Sequence, residues 1–453
     1  MGFYRALFFA YLTVGLLVFA FLVPPFQKSD EPAHFHRAVS LTNLDFFCDK
    51  DANGQYYFPM KRKYAELPDV MRTFDVAFRY DSKFTLDWLR ADFSDPRYDE
   101  TAAVYRFCSL PPAGYLPNAL GILVGKPFEN PLVSFYLGRV FGAVFFALAI
   151  VLALKTTPDR YRPIVYFYAA LPVVLHQVSA NSYDAVQLSL VPLLFAYLMS
   201  IVTDKGAVKP ARLLIFMALL LWLINVRLFS YVPLLLLFFV IHPSKIAPSR
   251  ADYLKVASGF LVVTAVLTGF FDLVYLPRAA DSSPDPSAID ASSQVRFVLN
   301  NPWEFVEASY NTLRLWGEGL FREGIGVFGW IDYTLGYAPY YIAVFLGGVL
   351  VYSTVQRDEA LLRPNQILFL LAAVLLTAAS LFFSLYAVWT PVGKDTIDGL
   401  QGRYFLGLLP FAIVCLSQAA AAIGRERLFK ALLTGVALLV LFNIARAVTL
   451  RYY

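Results

Sequence analysis

Apolar runs, about eleven of them and most near twenty residues long, decide what this chain can fold into. Stretches such as LFFAYLTVGLLVFAFLVPPF and ALLTGVALLVLFNIARAV are long enough to cross about 30 Å of hydrocarbon as helices. A β-barrel would instead alternate apolar and polar residues over segments of about ten. Composition agrees: 58 % of the 453 residues are hydrophobic and 16 % charged, more apolar surface than a soluble domain can hide around one core. The fold class expected is an all-α polytopic membrane protein, residues 1–453 forming one transmembrane domain. Spans are expected near 6–26, 131–154, 163–178, 185–202, 212–224, 228–241, 254–275, 338–355, 367–389, 404–423 and 430–449. The runs at 212–224 and 228–241 are short for full crossings and could instead form a bent hairpin. The first run ends in Pro24 and Pro25 without a small-residue cleavage pattern, so it is expected to be retained as a span rather than removed as a signal peptide.

Charge orients the chain. With the N-terminus inside, the cytoplasmic connections KTTPDRYR, TDKGAVKPAR, HPSKIAPSRADYLK, QRDEALLRPNQ and GRERLFK each carry two or three Lys or Arg. The short outer connections SANSYD, NVR and TPVGKDTIDGLQGR carry at most two, which is the positive-inside bias. Two outer segments are long. Residues 27–130 should hold amphipathic helices, one from Glu31 to about Leu44 and a membrane-skimming piece in PPAGYLPNALGILVGK. Residues 276–336 contain the linker-like PRAADSSPDPSAIDASS and an amphipathic NPWEFVEASYNTLRLWGEGLF, whose Trp303, Phe305, Leu313, Leu315 and Trp316 suit an interface. Cys48 and Cys108 lie in the first outer segment, either bridged in an oxidising compartment or as two unrelated thiols. Nothing resembles a nucleic-acid-binding face, since topology accounts for Lys and Arg.

The first run empties into FLVPPFQKSDEPAHFHRA, a concentration of ionisable groups that an ordinary loop does not need. At helical spacing Asp30, His34 and Arg37 share a face, with Glu31 beside them. Asp30 is equally an N-cap candidate. His34 and His36 diverge on a helix and make poor metal ligands. Other outer connections add Asn181 and Asp184 in SANSYDA, Arg227 in NVRLF, and Asp398, Gln401, Arg403 and Tyr404 in DGLQGRYF. Arginines at this edge run against the charge bias. Each either snorkels to headgroups or holds a phosphate bidentately.

The motifs SDEPAHFHRA, PPAGYLPNALG, SANSYDA, FGWID and QGRYFLGLLP together resemble C-type-fold (GT-C) membrane glycosyltransferases that take sugar from a polyprenyl-phosphate carrier. More narrowly they look like a family of predicted bacterial membrane proteins labelled a domain of unknown function. Arg227 departs from the lysine expected at that outer turn. The resemblance implies inverting transfer to an envelope glycan, lipid or protein acceptor on the extracytoplasmic face of the inner (plasma) membrane. Asp30 would be the general base and Glu31 or His34 would orient it or the acceptor. His34, Arg37, Asn181, Asp184, Arg227, Gln401, Arg403 and Tyr404 would bind substrate, Arg403, Arg227 or both taking the phosphate. A divalent cation, Mg or Mn, near Asp184 is compatible with this scheme and not demanded by it. A flippase for lipid-linked glycan should place ionisable residues at mid-membrane, where only Asp272 and Arg446 come into question, both toward span ends. A non-catalytic scaffold of envelope assembly would tolerate loss of the outer acids. A transferase requires Asp30 and Arg403 to meet in one cavity beside the exported leaflet.

Overall fold

The computed structural model describes residues 2–79, 81–105, 108, 110–275, 289–354, 362–417 and 426–452. Residues 277–288 of the expected linker, 356–361 of QRDEALLRPNQ, 424–425 of GRERLFK and the Asp272 side chain lie outside the described residues. The described residues are 75 % helical. Among the described residues six helices are long and apolar enough to cross a membrane: Phe3–Leu22, Pro131–Thr156, Tyr183–Thr203, Pro210–Arg227, Arg250–Phe271 and Pro364–Trp389.

Several of the other expected spans are broken. The run at 163–178 is two helices, Arg162–Ala170 and Pro172–Val178, because Pro172 pushes Leu171 into an extended conformation (ψ 127°). Residues 228–239 form a 3₁₀ stretch, Leu228–Leu235, before a single α-turn, Leu236–Phe239. The run at 404–423 begins with the 3₁₀ turn Gly402–Gly407 and becomes α-helical only over Leu409–Ser417. Helices Tyr337–Thr354 and Glu426–Tyr452 complete the set.

The last helix ends against the exit of the first: Tyr452 Oη donates to the Gln27 carbonyl at 3.3 Å, and Lys83 Nζ donates to the carbonyls of Leu450 and Arg451 at 2.9 and 3.0 Å. The first helix starts one span length away, at Gly2. The C-terminal end of helix Glu426–Tyr452 therefore lies beside the exit of the first helix.

Helix Glu31–Thr42 corrects the amphipathic expectation, for it is buried from Glu31 to Leu41. Helix Leu116–Gly125 covers one flank. The other meets an antiparallel sheet, β1 (Asp49–Lys50), β2 (Tyr56–Lys61) and β3 (Thr101–Val104), with Phe58 opposite Val104 and Met60 opposite Ala102. Phe35 and Val39 from the helix, Phe58 and Met60 from the sheet, and Tyr115 and Phe135 fill one core between them. Cys48 and Cys108 are disulfide-bonded, Cα atoms 5.8 Å apart, just before β1 and just after β3. Leu116, Leu120, Leu123 and Val124 stay exposed, as a membrane-skimming helix requires. On helix Pro302–Gly326 Trp303, Leu313, Leu315 and Trp316 are exposed, whereas Phe305 packs against Phe383 and Tyr386.

Candidate active site

The turn that carries Asp30 is held from four directions before its carboxylate meets anything. Pro24 and Pro25 stop the first helix and leave carbonyls without intrahelical donors. Arg139, in the span Pro131–Thr156, supplies them: Nη1 donates to Ala20 O (3.1 Å) and Val23 O (2.6 Å), and Nη2 to Pro24 O (3.0 Å). The same guanidinium grips Glu31 bidentately, Nε to Oε1 at 2.8 Å and Nη2 to Oε2 at 2.6 Å, both side chains fully buried. Glu31 Oε1 also accepts from the Asn181 amide at 2.9 Å. Lys28 donates to Ser179 O, and Ser29 Oγ donates to Gly329 O at 2.9 Å. Gly329 belongs to FGWID, the loop of a hairpin between β4 (Val327–Phe328) and β5 (Tyr333–Thr334), whose Trp330 Nε1 donates to Phe26 O at 3.0 Å. The turn contains two left-handed residues, Phe26 (φ 62°) and Asp30 (φ 61°). Such backbone persists only where the surroundings over-determine it.

Asp30 precedes helix Glu31–Thr42 but makes no side-chain cap, so the N-cap role is not realised. Its carboxylate instead faces Arg403, with Oδ2 3.3 Å from Nη2. Asp30 is 41 % exposed, whereas Arg403, Arg227 and Asp184 are 7, 9 and 4 % exposed. One open carboxylate thus stands over a nearly closed charged cluster.

The two arginines are held differently. Arg227 is saturated: Nη2 donates to Asp184 Oδ1 at 2.8 Å, Nη1 to Tyr183 Oη at 2.8 Å, and Nε to Gln187, while the Tyr183 and Tyr404 rings sandwich it at 4.5 and 4.8 Å. Gln187 Nε2 donates in turn to Tyr231 Oη, and that hydroxyl to the Tyr404 carbonyl. Arg403 is loosely held. Besides Asp30 it has Gln177 Oε1 at 3.5 Å from Nη1 and Asp184 Oδ2 at 3.7 Å from Nε, an ion pair too long to be a hydrogen bond, so the buried Nε–H has no acceptor at bonding distance. A buried donor left in this state is a place for a ligand oxygen.

His34 stands behind the cluster, Nδ1 2.6 Å from Tyr115 Oη and its ring 4.9 Å from that of Tyr183. Burial, then Arg403 and Arg227, hold His34 well below the usual imidazole range, and burial raises Tyr115. The bond therefore joins a neutral phenol to a neutral ring, the tautomer of His34 deciding which of them donates. Glu323, from helix Pro302–Gly326, accepts from the Gly402 amide at 2.7 Å and is pushed up by burial, against the lowering by that bond and Arg403.

Of the residues singled out from sequence, Asp30, Asp184, Arg227, Arg403 and Tyr404 converge, with His34 adjoining. Glu31 turns away from the cluster into the buried Arg139 pair. Arg37 points the opposite way along its helix, donating to the carbonyls of Leu110, Asp45 and Phe46. Asn181 ties Glu31 to Phe135 O through its backbone and side-chain amides. Gln401 offers its carbonyl to Tyr404 N at the start of the 3₁₀ turn, and Asp398 is paired with Lys394. The residues do not suit a divalent cation: Asp184 directs both oxygens at guanidiniums, and no group of three or more acidic, imidazole or thiol donors occurs among the described residues. Arg139 escaped notice although a lone arginine inside an apolar span is itself a signal. Tyr183, Gln177, Gln187 and Tyr231 carry no such mark.

Residues 13–412 match the family model described as Predicted membrane protein (DUF2142), and the chain belongs to that family. No curated protein and no solved structure matches it.

Proposed function

We propose that this member of the predicted membrane protein family DUF2142 is an inverting membrane glycosyltransferase of GT-C type. It moves a sugar from a polyprenyl-phosphate donor to an envelope glycan, lipid or protein acceptor. The observation that carries this reading is a half-open carboxylate, Asp30, beside a guanidinium, Arg403, that still has an unused buried donor. Asp30 accepts the acceptor hydroxyl proton while that oxygen bonds to the anomeric carbon. The bond from that carbon to the phosphate oxygen breaks, and the phosphate leaves with its electron pair. Arg403 receives the developing charge by exchanging its long contacts for phosphate oxygens. Arg227, fully engaged, positions Asp184 and Tyr404 rather than moving. The eleven-crossing topology with an inside N-terminus and an extracytoplasmic site is part of the proposal. Loop charges favour it, and the Cys48–Cys108 bridge suits an exported segment of an inner-membrane protein.

The test is transfer of radiolabelled sugar from a polyprenyl-phosphate donor pool in proteoliposomes, comparing wild type, Asp30→Asn and Arg403→Lys. Asp30→Asn should lose about 10²–10⁴-fold in rate. Arg403→Lys should lose rate while keeping its charge, because lysine lacks the fork. Wild-type transfer by Asp30→Asn removes the base assignment. Donor movement across the bilayer without bond formation identifies a flippase, and neither activity identifies a scaffold.

A further inference from the structure

A second polar cleft, of about 340 Å³, opens on the outer segment at the far end of helix Glu31–Thr42 from Asp30. Its size falls in the range of small-ligand sites. Lys61, Lys63, Lys126, Asp45, Glu129 and Tyr64 supply its polar lining. Two of its three ammonium groups are neutralised. Lys63 is bonded to Glu129 at 2.5 Å and to Asp99 at 3.0 Å, and Lys61 to Asp99 at 2.9 Å. Lys126 is not. Its Nζ contacts only neutral acceptors, Asn43 Oδ1 at 2.7 Å and Thr42 O at 3.4 Å, and no carboxylate makes an ion pair with it among the described residues. Burial and the charge of Lys61 push Lys126 below the ordinary ammonium range, while Asp45 opposes this without pairing. An anion entering the cleft would meet Lys126 and the half-exposed Lys61 together.

The position of the cleft sets the least length of a ligand that would fill it and also reach Asp30. Asp30 precedes the first turn of the helix and Asn43 follows the last, so twelve residues separate them, about 18 Å at 1.5 Å per residue. A single sugar or a free hydroxyl compound cannot touch both.

We propose that this cleft holds the acidic part, carboxylate or phosphate, of an extended glycan acceptor whose hydroxyl reaches Asp30. The acceptor role rests on the transferase reading. Binding of an acidic glycan to the cleft does not.

The experiment titrates full-length protein in nanodiscs with a galacturonate ladder, a phosphorylated oligosaccharide and a neutral oligosaccharide of equal length, at low and high salt. The longer acidic chains should bind in a salt-sensitive way and the neutral chain at least about tenfold more weakly. Lys126→Gln should lose about tenfold and Lys126→Arg should recover it, which separates lost charge from misfolding. The galacturonate and phosphate arms tell which acid the cleft takes. Equal binding of neutral and acidic chains, or wild-type binding by Lys126→Gln, overturns the site. No transfer by the wild-type protein, with acidic binding lost in Lys126→Gln, keeps the site and removes the transferase reading.

Discussion

Replacing either member of the Glu31–Arg139 pair should destabilise the protein severely, and unequally. Both side chains are fully buried, so removing one partner strands the other charge at a cost of about 3–5 kcal/mol. Glu31→Gln keeps the shape and the acceptor for Asn181 N, and should sit near the lower figure. Arg139→Met also leaves the carbonyls of Ala20, Val23 and Pro24 without their donor, each worth about 1–3 kcal/mol in a dry interior. The sum is about 6 kcal/mol or more, comparable to the whole stability of many proteins. In Glu31→Gln/Arg139→Met no charge is stranded and only the carbonyl deficit and packing remain. The double variant should therefore be less destabilised than the two singles summed, by a coupling of about 6 kcal/mol, the two stranded-charge costs together. Denaturant titration in mixed micelles, read by tryptophan fluorescence, gives the four free energies of the cycle. A coupling below about 0.5 kcal/mol would falsify the pairing as a stabilising unit. Equally damaging would be a Glu31→Gln protein of wild-type stability with transfer abolished, since that is how a catalytic carboxylate behaves.

Two further outcomes follow from single residues. A Cβ on Gly402 would sit 1.8 Å from Leu320 O and 2.7 Å from Gly324 N, so Gly402→Ala must push the 3₁₀ turn off helix Pro302–Gly326 and carry Arg403 with it. Transfer should fall about 10²-fold, as a displacement of about 1 Å at a site does, while membrane insertion and yield persist; unchanged transfer would mean that the turn does not fix Arg403. His34 is neutral in the fold because its folded pKa lies below the ordinary 6.5. The stability it contributes is full above that value. It is lost as pH falls from about 6.5 toward the folded pKa, where the unfolded chain binds the proton and the native ring does not, at up to about 1.4 kcal/mol per pH unit. Unfolding titrations from about pH 7.5 to about pH 5 should show this slope reduced in His34→Gln. An identical slope in both proteins would remove His34 as its source.

What could be read from the sequence depends on whether the deciding contact is local. Span positions were legible because a run of about twenty apolar residues needs no partner to declare itself. The breaks were half legible: Pro172 marks one, yet averaging hydropathy over the run hides it. The burial of helix Glu31–Thr42 was not legible from its own pattern, since polar residues such as His34, His36 and Arg37 read as a wet face. They are dry because Tyr115 and the carbonyls of Tyr64 and Leu110 meet them from farther along the chain, and the carbonyls of Asp45 and Phe46 from just past the end of the helix. The meeting of Asp30 with Arg403, 373 residues apart, was inferred from convergence of outer connections. That Arg227 is clamped and Arg403 loose depends on neutral partners, Gln187, Tyr183 and Gln177, which carry no charge signal in a sequence.

The adjacent acids Asp30 and Glu31 illustrate why a motif need not be a single functional unit. The left-handed turn at Asp30 reverses the chain just before the helix starts, and Glu31 goes inward to Arg139 while Asp30 goes outward to Arg403. The inward acid has five anchors behind it, because its partner arginine also binds the broken end of the first span and Asn181 closes the turn leading to Asp184. Any shift of Glu31 therefore moves Asp30 and the Asp184 turn together, preserving their relation to each other. Such coupling suits a base and a phosphate-binding cluster that must hold one reacting bond between them.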